Sequence, residues 1–159
     1  MKKTLKWLGV VVALLLVGWW LWARYGVTEE KRVRKVIAKM QEAVERGGRA
    51  KMALGLEGCI AQDFADRVGL NKTMLIEALI GYRSQFDSVN IDISDLTITV
   101  TTAPTANDFP TAEAKFAARL IGNKSGQNDQ YSDRFRLTFK KSDLGWQMTN
   151  AEGEQTRNF

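Results

Sequence analysis

Asp133 is the residue whose position most invites chemistry. From Tyr131 to Phe139 the apolar side chains Tyr131, Phe135, Leu137 and Phe139 share one parity, and Asp133 shares it with them. A regular strand would aim this carboxylate into an apolar face, where lost hydration raises the pKa and makes a general acid or base. The alternative is a strand that begins after Asp133 and leaves the acid near solvent. The rest of the chain supplies few helpers. It has no histidine, which removes the commonest general base, the commonest metal ligand and the middle member of the usual hydrolytic triads. Cys59 is the only cysteine, so neither an intrachain disulfide nor a cysteine-based zinc site can form. No metal and no cofactor are expected.

The elements that must position Asp133 are read from periodicity. Thr28 can cap a helix whose first turn carries Glu29 and Glu30, and Val33, Val36, Ile37, Met40 and Val44 form one apolar stripe that Gly47-Gly48 ends. Arg49 to Leu56 reads as a short second helix ended by Gly58, and Ile60 to Phe64 as a strand or extended loop. Asn71 caps a third helix bearing Leu75, Leu79, Tyr82 and Phe86. Beyond it the period changes to two: Val89, Ile91 and Ile93 alternate, then Leu96, Ile98 and Val100 on the opposite parity, so Ser94-Asp95 is a bulge or a tight turn. Ala112, Ala114, Phe116, Ala118 and Leu120 mark the next strand. A turn over Gly122 to Gly126 leads to the strand of Asp133, and a turn over Ser142 to Gly145 to a last one with Trp146 and Met148. Helices followed by a meander of antiparallel strands imply an α+β domain with the helices on one sheet face. Tyr82, Phe86, Phe116 and Trp146 are candidate pocket walls, although aromatics at such spacing more often build plain core.

The first 27 residues read differently. Trp7 to Ala23 is an uncharged run of 17 residues, roughly 25 Å as a helix, at the short end of a hydrocarbon core. Lys2, Lys3 and Lys6 precede it, Trp7 opens it, and Trp19, Trp20, Trp22, Arg24 and Tyr25 crowd its other end, the aromatic and basic belts of the two headgroup layers. A cleaved signal would need small residues where Leu21-Trp22-Ala23 stand, so the segment reads as an uncleaved anchor in the lipid bilayer. Basic residues on both sides leave orientation open. The short lysine-rich tail favours an inner-membrane protein with its N-terminus in the cytoplasm and its domain in the periplasm.

This anchor also absorbs the charge. The net charge is +5, from 23 basic and 18 acidic residues. Without Lys2, Lys3, Lys6 and Arg24, 19 of the 23 basic residues face the same 18 acids. A nucleic-acid binder concentrates positive charge on its folded domain, so no nucleic acid is expected. Lys115, Arg119, Arg134, Arg136 and Lys140 form a basic stripe if their strands pair, a surface for a homodimer, an envelope partner or anionic headgroups, or simply a solvated face.

The order of elements resembles the nuclear transport factor 2-like (cystatin-like cone, SnoaL-like) superfamily. The resemblance rests on Gly-Gly-Arg-Ala after the first helix, Ile-Ala-Gln-Asp-Phe (Ile60 to Phe64), Ala-Glu-Ala-Lys-Phe (Ala112 to Phe116), Phe-Arg-Leu-Thr-Phe (Phe135 to Phe139) and Gly-Trp-Gln-Met (Gly145 to Met148). It implies about three helices packed on a curved antiparallel sheet over residues 28–152, with 1–27 as tail and anchor and 153–159 as a C-terminal tail. It also implies a pocket at the cone's open end, near which Asp63 and Phe64 would lie. Met40 stands where some members carry a tyrosine, which argues against importing an isomerase mechanism. The expected function is a membrane-anchored, non-enzymatic binding or assembly module. The alternative is a cone pocket using Asp133 or Asp63 on a hydrophobic ligand.

Overall fold

The computed structural model describes residues 28–102, 105 and 108–154. The anchor segment, with Lys2, Lys3, Lys6, Trp7, Trp19, Trp20, Trp22, Arg24 and Tyr25, lies outside the described residues. Among those described, no helix is long and apolar enough to cross a membrane.

Thr28 opens helix α1 (Glu29–Arg46), its side chain accepting from Lys31 N–H at 3.4 Å. Glu29 and Glu30 pair with Arg32 and Arg34 across the first turns, and Val33, Ile37 and Val44 form the buried edge of the stripe. Helix α2 (Arg49–Glu57) follows with Met52 and Leu56 buried. Helix α3 (Lys72–Arg83) begins at Asn71, whose side chain accepts from Met74 N–H at 3.0 Å. Its buried residues are Ile76 and, less predictably, Lys72.

Strands β1 (Ser88–Thr101), β2 (Thr111–Lys124), β3 (Gln127–Ser142) and β4 (Gly145–Glu154) form one antiparallel sheet in chain order. The parity switch in β1 is a bulge, not a turn. Ser94 pairs with Ala117 and Thr97 with Lys115, so β1 carries one extra residue, and Asp95 takes φ 55° to absorb it. The β2–β3 turn is tighter than the sequence suggests. Lys124 pairs with Gln127, leaving only Ser125 (φ 52°) and Gly126 (φ 82°) between the strands, the left-handed pair of a two-residue hairpin. Gly122 is therefore inside the strand. Ile60 to Phe64 is no full strand: Ile60 makes one parallel bridge to Met148 before the chain turns.

Both sheet edges are met by other elements over one short stretch each. Gln41 and Glu45 of α1 bond the outward carbonyl and N–H of Ile91 in β1, each at 2.7 Å. On the other edge, Ala61 N–H donates to the Met148 carbonyl and Met148 N–H to the Cys59 carbonyl, at 2.9 and 2.8 Å. These bonds occupy part of each edge and shorten the stretch open to stray pairing.

Cross-strand rows show how the helix-facing side of the sheet is filled. At the end of the sheet that holds Thr101, Thr111 and the turn at 143–144 the rows are Val100–Ala112–Phe139–Met148 and Ile98–Ala114–Leu137–Ala151. These pack with Val33, Ile37, Leu56, Ile60, Phe64 and Trp146 into one core. Next come Phe116 and Phe135, then Ile93–Ala118–Asp133, then Ile91–Leu120–Tyr131. The face changes from apolar to polar at Asp133.

Candidate functional site

Because β3 begins at Gln127, Asp133 lies well inside a regular strand, and the alternative of a strand starting after it is overturned. The two-residue hairpin is the cause, since it forces pairing from the first residue after the turn. Asp133 is 9% exposed and faces the helices. Its Oδ2 accepts from the Tyr131 hydroxyl at 2.9 Å and its Oδ1 from Arg134 N–H at 2.7 Å. Tyr131, two residues earlier, shares the face and is 50% exposed. The hydrogen bond to Asp133, then burial, then the carboxylate charge hold the phenol above its ordinary pKa of 10.0, so it remains a proton donor at neutral pH. Among the described residues no other acid or base side chain hydrogen-bonds to either group.

Glycine makes room at two points here. A side-chain carbon on Gly153 would stand 3.2 Å from Asp133 Oδ2, and one on Gly122 would come within 2.5 Å of the Phe86 ring. Phe86 therefore sits in the space Gly122 leaves, and Tyr82 leans on it with ring centres 5.1 Å apart. Phe116 and Phe135 stack at 5.8 Å. Together these side chains frame the end of the concave face on which Tyr131 and Asp133 lie.

The remaining candidates separate. Phe64 and Trp146 are 3% and 4% exposed and belong to the core, while Met40 packs against it half-buried. Trp146 has a further duty: its Nε1 donates to Glu29 Oε2 at 2.6 Å, and Lys141 Nζ donates to Glu29 Oε1 at 3.0 Å. Burial alone would raise the Glu29 pKa. The bonds from Trp146 and Lys141 and the charges of Lys141 and Arg32 outweigh it, leaving it below 4.5. Asp63 is exposed in the turn after Ile60. Cys59 is buried, donates to the Gly55 carbonyl, and has its pKa raised by burial, partly offset by Lys39.

The expected basic stripe does share the convex face, with Lys115 opposite Arg136 and Ala117 opposite Arg134. Acids interleave it: Lys115 pairs with Glu113, Arg119 with Asp92, and Arg136 with Glu113, Glu152 and Glu154. Arg134 and Lys140 make no ion pair among the described residues, and Lys140 stands over the Phe109 ring. A hollow of about 400 Å³ opens on this face between Asp92, Arg119, Ser132 and Arg134.

Some contacts escape sequence reading. Lys72, 8% exposed, donates to the Glu57 carbonyl at 2.9 Å and its carboxylate at 2.8 Å. A lysine in the first turn of a helix opposes the dipole, which is the signal that it serves the end of α2 instead. Tyr131 was legible too: Tyr-x-Asp on a strand places both groups on one face.

No family model matches the chain, and no curated protein sequence matches it. Solved structures do. A candidate scytalone dehydratase from Novosphingobium aromaticivorans superposes with a TM-score of 0.63 at 12% identity, covering 82% of this chain and 86% of that one. A candidate dehydratase of the nuclear transport factor 2-like family from Streptomyces avermitilis gives 0.61 at 11% identity, covering 79% and 94%. A nuclear transport factor 2-like protein with a cystatin-like fold, also from Novosphingobium aromaticivorans, gives 0.60 at 19% identity, covering 84% and 86%. At these identities the likeness establishes the fold alone. That fold is the nuclear transport factor 2-like cone: three helices on a four-stranded antiparallel sheet.

Proposed function

We propose that this chain is a single-pass membrane protein of the cell envelope whose cone domain binds rather than catalyses, with the domain on the periplasmic side. The observation that carries the binding reading is the state of Asp133. Its two oxygens are taken by Tyr131 and a backbone N–H, and no second acid, base or nucleophile bonds to the pair among the described residues. General acid–base chemistry needs a group free to exchange its proton with a substrate; a buried, engaged carboxylate orients a phenol for recognition instead. The anchor is argued from Trp7–Ala23 and its flanking Lys and Trp residues.

Partners on the convex face would have to match alternating charges, with Arg134 and Lys140 the stripe's cations outside the ion pairs described there.

The test is native mass spectrometry of the detergent-solubilised full chain. A retained second copy, protein partner or small molecule is expected, and a bare monomer would overturn the proposal. A reporter fused to the C-terminus should be active only in the periplasm.

A second reading is proton transfer on a small ligand, with Asp133 as base and Tyr131 as donor. The interior position of Asp133 favours it, as do the candidate dehydratases among the similar folds. The absence of histidine weighs against it.

A further inference from the structure

The end of the sheet beside the start of α1 carries exposed apolar side chains. Leu144, in the β3–β4 turn, is 83% exposed, and Phe109, just ahead of β2, is 47% exposed. Ser142 pairs with Gly145 on either side of the first. Lys141 N–H donates to the carbonyl of Pro110, next to the second, at 2.9 Å, and Lys141 Nζ reaches Glu29 at the head of α1. The Lys140 ammonium stands 5.4 Å from the centre of the Phe109 ring. Single exposed hydrophobics are ordinary on any surface. What distinguishes these two is where the chain comes from.

Only residues 24–27 separate the apolar run ending at Ala23 from Thr28. Four residues reach at most about 15 Å. A domain tethered so closely keeps the end where α1 begins against the lipid headgroups.

We propose that this end of the cone docks on the bilayer, with Phe109 and Leu144 among the headgroups and Lys31 and Lys140 toward anionic lipid. The inference rests on Trp7–Ala23 spanning the membrane. An apolar tip beside an amine, as Phe109 stands beside Lys140, is the chemistry of an interfacial contact, the former burying area and the latter meeting phosphate, and Asp108 and Asp143 are the acids it must outweigh. The docking also orients the rest. Asp133 lies nine residues along β3 from Ser142, roughly 30 Å at the rise of a strand. The Tyr131–Asp133 half therefore looks away from lipid and takes its ligand from the aqueous compartment, not from the membrane.

The experiment uses the full chain in phosphatidylcholine–phosphatidylglycerol vesicles, with an environment-sensitive fluorophore on a cysteine introduced as Asp143→Cys or, at the opposite end, Gln127→Cys. Cys59 is 2% exposed and stays unlabelled. The chain is expected to float with the vesicles after alkaline extraction. The label at 143 should shift to the blue and be quenched by lipid-borne quenchers, while that at 127 stays in water. Phe109→Ser with Leu144→Ser should abolish the shift and leave the melting temperature within a few degrees. Flotation with both labels in water overturns the docking alone, as does a shift that survives the double substitution. A chain that does not float overturns the anchor and the docking together.

Discussion

The two halves of the concave face are built by the same strands under the same alternation, yet they do different work. Beside the start of α1, the rows through Phe139, Leu137 and Trp146 are closed against the helices, and their polar atoms are consumed in a clamp on Glu29. Toward the β2–β3 turn, the rows through Asp133 and Tyr131 hold a buried acid and a half-exposed phenol, with glycines where side chains would fill the space. One half is closed core, and the other is the half to which the proposal above assigns a ligand. A single sheet can do both because each row touches only its neighbours, so a polar row need not disturb an apolar one two steps away.

This contrast can be broken or sharpened by substitution. The largest effect is expected for Phe139→Ala, which empties a fully buried position and should cost about 3–5 kcal/mol in denaturant unfolding; a cost below about 1 kcal/mol would mean the first half is not the core described. Gly122→Ala should cost about 1–3 kcal/mol, because the new methyl displaces the Phe86 ring, and the Tyr82 and Phe86 resonances should move with it. Glu29→Gln keeps an acceptor for Trp146 but removes the carboxylate from Lys141 and Arg32, for a loss of about 1 kcal/mol. The Glu29 pKa is lowered in the folded chain, so its contribution is complete above about pH 4.5 and lost as the pH falls through the depressed folded value. The Gln variant should show a shallower fall in melting temperature in acid. The smallest change in stability is expected for Asp133→Asn. Removing that charge should return the Tyr131 phenol toward 10.0, read as phenolate absorbance against pH. In the wild type the raised phenol pKa supports stability below pH 10 and ceases to as the pH rises through it.

Much of this division was written in the sequence, but not the part that matters most at the site. The stripe from Val33 to Val44, the Thr28 and Asn71 caps and the parity switch at Ser94-Asp95 are local patterns, and local patterns survive into the structure. The burial of Asp133 depended on where β3 starts, which a two-residue turn decides and a glycine-rich stretch from Gly122 to Gly126 conceals. Lys72 with Glu57 and Glu45 with Ile91 join residues far apart in the chain, and no periodicity announces such contacts. The charged stripe was visible in its basic members only; the acids that neutralise it come from β1, β2 and β4 by register.

The most direct test of the division is a comparison of native mass spectra from full-length wild type and Asp133→Asn, each shown to be folded by its melting curve. The account predicts that the wild type retains a bound species and that the Asn variant loses it with its melting temperature nearly unchanged. Equal retention by both, or a bare wild-type monomer, would contradict it.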